Sequence, residues 1–85
     1  MDKLERLRET LERCDEVILN GLLMRDQIIE DIMAYKESNG LPILQPEQET
    51  KQVKWLESEL DGKRHREEVK DVFACIWDNS KRIQA

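Results

Sequence analysis

The sequence predicts an all-α protein of three helices per chain, one of them a very long N-terminal helix, paired in a two-fold homodimer. Three observations predict it. The stretch Lys3–Ser38 has no proline and a single glycine, and its apolar residues keep heptad spacing in two rows. One row is Leu4, Leu11, Ile18, Arg25 and Ile32, and the other is Leu7, Cys14, Gly21, Ile28 and Tyr35. The only prolines, Pro42 and Pro46, lie in one connector, and aromatic residues make up 5% of the chain, too few for the strands of a sheet. Roughly 36 residues at about 1.5 Å each give a helix of about 54 Å. A compact chain of this length has a radius of gyration of about 12 Å and so a diameter of about 30 Å. The helix therefore outruns its own domain, and its protruding apolar residues call for a second chain, most economically an identical one.

The first helix is expected to end near Ser38, because Asn39 and Gly40 supply left-handed conformations and Leu41-Pro42 cannot continue it. Pro46 suits the first position of a second helix, and Glu47 and Glu49 put negative charge in its first turn, where the helix dipole favours it. That helix runs to about Leu60, with Val53, Leu56 and Leu60 on its inner face and Glu49 at the head of the same row. Asp61-Gly62 stops it. After the polar run Lys63, Arg64, His65 and Arg66, a third helix extends from about Arg66 to the C-terminus. Its apolar stripe is Val69, Phe73, Ile76, Trp77 and Ile83, and Ser80 and Gln84 share it.

Charge excludes several classes of function. Nineteen acidic residues against fourteen Lys and Arg leave a net charge of −5, without the basic stripe that nucleic acid requires. Neither a signal peptide nor a membrane span is evident, so a cytoplasmic protein acting on neither nucleic acid nor membrane is expected. Cys14 and Cys75 stand on apolar helical positions without a C-x-x-C pair and are expected to be buried, reduced thiols. No metal site and no cofactor motif is expected. A Gly-rich phosphate loop, a Ser-His-Asp set and a pair of carboxylates for acid-base work are all missing, and the single histidine, His65, reads as a solvated turn residue.

Polar residues on inward-facing positions carry the chemistry: Arg25 and Lys36 on the first helix, Glu49 on the second, Ser80 and Gln84 on the third. Singly, each has a structural reading, as a snorkelling cation, a dipole partner or a solvated residue at a chain end. Arg25 on an apolar seam implies either a buried acidic partner or an anionic ligand. Eleven residues separate it from Lys36, so at roughly 100° per residue the two point within about 20° of each other and flank one site. Arg8, about 100° away, cannot easily join that site from its own chain but can reach a partner's across an antiparallel pair. Three cations, a carboxylate and two neutral hydrogen-bonding groups suit a small ligand with two negative charges and a hydroxyl.

The set resembles the all-helical chorismate mutases (the AroQ class) over nearly the whole chain, which implies one such domain over residues 1–85. The resemblance rests on Leu7-Arg8, Cys14-Asp15-Glu16, Leu22-Leu23-Met24-Arg25, Tyr35-Lys36, Gly40-Leu41-Pro42-Ile43 with Pro46 and Glu49, and Ser80 with Gln84. It implies an intertwined helical homodimer that converts chorismate to prephenate by a pericyclic rearrangement in aromatic amino-acid biosynthesis. It also implies roles. Arg25, Lys36 and Gln84 would be catalytic, with Lys36 and Gln84 donating to the ether oxygen. Arg8 of the other chain and Arg25 would hold the two carboxylates. Gln45, Glu49 and Ser80 would complete the substrate site, Glu49 accepting from the ring hydroxyl.

The chain departs from the family pattern at Gln45 and Gln48, where Asp and Arg are usual, and at Trp77 and Lys81, where smaller apolar residues are usual. Lys81 reads first as a solvated lysine near a helix C-terminus, where cations are favoured, and in the alternative as a partial replacement for the cation missing at Gln48. Two other readings share the scaffold: a lyase removing pyruvate from isochorismate, and a helical dimer with a regulatory or interaction role.

Overall fold

The computed structural model describes residues 2–43 and 45–84 and contains three helices: α1 (Lys3–Ser38), α2 (Pro46–Leu60) and α3 (Arg66–Gln84). These boundaries are the ones expected from the caps and breakers. Asp2 caps α1, its carboxylate accepting from the Glu5 amide at 2.8 Å. At the other end Gly40 alone takes a left-handed backbone, φ +64°, while Asn39, also expected there, stays at φ −110°; the turn lets the Leu41 amide donate to the Lys36 carbonyl at 2.9 Å. An alanine there would hold the same left-handed backbone at a cost of about 1–2 kcal/mol. Gly40→Ala should lower the unfolding free energy by about that amount in urea titrations at one fixed protein concentration. Pro46 occupies the first turn of α2, and Gly62, at φ +72°, ends the turn that follows it.

The chain is elongated, 57 Å in its longest dimension, with a radius of gyration of 16.5 Å. The 36-residue α1 accounts for that length. α3 packs on the C-terminal half of α1, and α2 closes over α3 through the edge-on pair Trp55–Phe73, with ring centroids 6.1 Å apart, which continues to Trp77 at 5.8 Å. The apolar stripe of α3 is at least half-buried throughout, as its spacing predicts.

The heptad rows of α1 are placed differently from the in-chain core. The α1 face turned to the rest of the chain is Leu22, Arg25, Ile29, Met33 and Lys36, and Ile29, which belongs to neither row, is its only buried residue. Leu4, Leu7, Leu11, Ile18 and Ile28 are each more than half exposed. The reason is geometric: α3 reaches only the far half of α1 and meets it from one side, so the row through Leu7 and Ile28 has no neighbour within the chain. The apolar core among the described residues is correspondingly small, consisting of Ile29, Leu56 and Leu60. Cys14 and Cys75 are exposed, which corrects the expectation of buried thiols. Cys14 lies on the uncovered row, and Cys75 falls beside the stripe of α3 rather than on it.

Candidate active site

The inner face of α1, the first turn of α2 and the last turns of α3 enclose a cleft of about 580 Å³, a volume suited to a small organic ligand. Arg25 and Lys36 enter it from α1, Gln45, Gln48 and Glu49 from the start of α2, and Ser80 and Gln84 from α3. Six of the seven residues singled out from the sequence therefore line one cavity, and the seventh, Arg8, stands outside it, exposed on α1. Seventeen residues of helix separate Arg8 from Arg25, about 26 Å along the axis.

The local chemistry explains how these groups are held. An N–H of the Arg25 guanidinium donates to the Ser80 hydroxyl, which in turn donates to the Ile76 carbonyl at 3.0 Å. Ser80 is buried, so its hydroxyl is satisfied on both sides and anchors the guanidinium at the edge of the cleft. No carboxylate meets Arg25 among the described residues. Of the two partners its position implied, an acidic side chain and an anionic ligand, the first is excluded within these residues. The Lys36 ammonium donates to the Ile43 carbonyl at 2.7 Å and to Gln84 Oε1 at 3.2 Å. With three donors on an ammonium, one N–H is left for a ligand. The amide nitrogen of Gln84 makes only a long contact of 3.4 Å to the Ser80 carbonyl and is available as a second donor beside Lys36.

Gln45 precedes α2, where its carbonyl accepts from the Gln48 and Glu49 amides at 3.0 and 3.3 Å. Its side chain makes no capping bond and belongs to the wall of the cleft. Glu49 pairs with Lys81 across the cleft, N to O 2.9 Å. The hydrogen bond to Glu49, and then the Glu49 charge itself, hold the Lys81 ammonium above the ordinary lysine value. The stabilisation from this raised value is fully present below the ordinary lysine range and is lost as pH climbs through the folded value, so the pair is intact at neutral pH.

Sequence reasoning did not single out Gln52, Asp78 and Ala74 of the lining. A signal existed. Ala74, Trp77, Asp78 and Lys81 follow one another at helical spacing, but the apolar members alone do not mark Asp78 as part of that face. The Ile43 carbonyl that receives Lys36 is a main-chain group and has no side-chain signature. No group of His, Cys, Asp and Glu able to hold a metal ion occurs among the described residues, and no described helix is long and apolar enough to cross a membrane.

The cleft thus sets two cations, Arg25 and Lys36, on its α1 wall against hydrogen-bonding side chains of α2 and α3. The chain belongs to the chorismate mutase type II family, whose model matches residues 7–85. No curated protein and no solved structure shows a match to the chain.

Proposed function

We propose that the chain is a chorismate mutase, converting chorismate to prephenate for aromatic amino-acid synthesis in the cytoplasm, and that residues 1–85 act as one domain within a homodimer. The observation that carries this reading is the joint placement of Arg25, Lys36 and Gln84 on one cleft in a member of this family. The rearrangement is internal to the substrate: its ether carbon–oxygen bond breaks as a carbon–carbon bond forms, with no atom gained or lost. Such a step asks for a folded conformer held in place and for fixed donors where negative charge grows. In this reading Arg25 takes one carboxylate while Ser80 keeps the guanidinium in position. The spare N–H of Lys36 and the Gln84 amide nitrogen donate to the ether oxygen, and Glu49 accepts from the ring hydroxyl. Gln45 offers its amide from the wall of the cleft.

The second carboxylate falls to Arg8 of a partner chain. An antiparallel partner helix that sets Arg8 opposite the stretch between Arg25 and Lys36 crosses its mate near residue 19, about midway between them. Ile18 and Gly21 then meet at the crossing. An added Cβ at Gly21 has nothing within 4 Å in the single chain, so this backbone is open to close approach. Sedimentation at micromolar concentration is expected to show a dimer. A folded, stable monomer there would remove the cross-chain site.

Incubating the purified protein with chorismate and with isochorismate tests the activity. Prephenate from chorismate is the expected product. Salicylate from isochorismate would indicate the lyase instead, and no product from either would leave a helical interaction module.

A further inference from the structure

The Glu49–Lys81 pair ties the first turn of α2 to the last turn of α3 at the rim of the cleft. It is the one ion pair between helices among the described residues; the other, Lys70–Glu67, lies within α3. The side chains are 47% and 45% exposed, and a bridge so open to water contributes little to stability. A structural tie is therefore a weak account of a lysine on this wall.

The charges of the cleft give a stronger one. Its lining carries three cations, Arg25, Lys36 and Lys81, against two carboxylates, Glu49 and Asp78. With Lys81 the cleft is positive; without it the in-chain charges cancel. The whole chain has a net charge of −5, so a dianion approaching it is drawn in only by a locally positive cleft. Gln48, on the same lining, supplies no charge.

We propose that Lys81 is a ligand-binding residue of this cleft, donating to a carboxylate of a dianionic ligand from the wall opposite α1, with Glu49 holding the ammonium in place beforehand. The pair need not break, since the ammonium can donate to Glu49 and to a ligand oxygen together. This assignment rests on the anion-binding reading of the site. It adds a cation contributed by α3, which makes the chain's own cleft suited to two negative charges rather than one.

Calorimetric titration with prephenate, a dicarboxylate, tests it. Lys81→Met should weaken binding about tenfold. Lys81→Arg should stay within about twofold of the parent, and adding Gln48→Arg to Lys81→Met should recover most of the loss, because position 48 can return a cation to the same cavity. In the chorismate assay the change should fall on KM with kcat nearly unaltered, as for a contact made equally to substrate and transition state. Unchanged prephenate affinity in Lys81→Met overturns the proposal. So does a loss that neither Lys81→Arg nor Gln48→Arg repairs, the pattern expected if Lys81 served only to hold Glu49. Failure of the parent chain to bind prephenate overturns it as well. Prephenate binding without turnover of chorismate would count against the catalytic reading alone, and the titrations would still decide the role of Lys81.

Discussion

Lys36→Ala is expected to lower kcat for chorismate by about 10²–10³, and Arg25→Ala to lower kcat/KM by a similar factor, with helix content unchanged in both. The two losses should differ in kind. Lys36 sits among fixed acceptors, Ile43 O and Gln84 Oε1, with one donor to spare, so it is aimed before any ligand arrives. Its proposed partner, the ether oxygen, gains negative charge only as the bond breaks, and a donor placed there acts mainly on kcat. Arg25 is held by Ser80, and its proposed partner, a carboxylate, is charged throughout the reaction, so its removal should also raise KM. Steady-state kinetics with circular dichroism as the control for folding would check both. Less than a tenfold fall in a well-folded Lys36→Ala protein would mean that this ammonium does not face the reacting oxygen.

Arg8→Ala should be as damaging as Arg25→Ala, although Arg8 is exposed and about 26 Å away along the same helix. The cross-chain arrangement makes a further demand. Equal amounts of Arg8→Ala and Arg25→Ala protein, each nearly inactive, should regain roughly a quarter of the parental activity after subunit exchange. Half of the dimers are then mixed, and in each of those one site has both arginines while the other has neither. If both arginines came from one chain, each site of the mixed dimer would lack one of them and no activity would return. Exchange is verified independently by mass-tagged subunits, so absent recovery would sink the cross-chain site rather than reflect slow mixing.

Much of the site was legible because helices convert spacing into direction. Arg25 and Lys36, eleven residues apart, were expected on one face and do line one cleft. Glu49 at the head of the inner row of α2, and Ser80 with Gln84 on the stripe of α3, were readable in the same way. Asp78 was not, since an acidic residue on a charged helix resembles every other solvated one until the packing sets it on a cavity wall. The partnership of Lys81 with Glu49 was likewise out of reach: it joins residues far apart in sequence, on helices whose separation depends on how Trp55, Phe73 and Trp77 pack.

The sequence by itself determined the three helices and their ends, because the stop signals are local: Gly40 and Gly62 adopt left-handed backbone, and Pro46 begins a helix without needing its amide. It also determined that α1 is too long for a core of its own. The tertiary structure alone decided which side of α1 the chain covers. A heptad repeat states that an apolar seam exists but not which neighbour fills it, and here α3 takes the face centred on Ile29, leaving Leu7 and Ile28 in the open. It also decided that Arg25 meets a serine hydroxyl rather than a carboxylate. That choice depends on the rotation of α3 about its axis, which is set by packing and which no local pattern encodes.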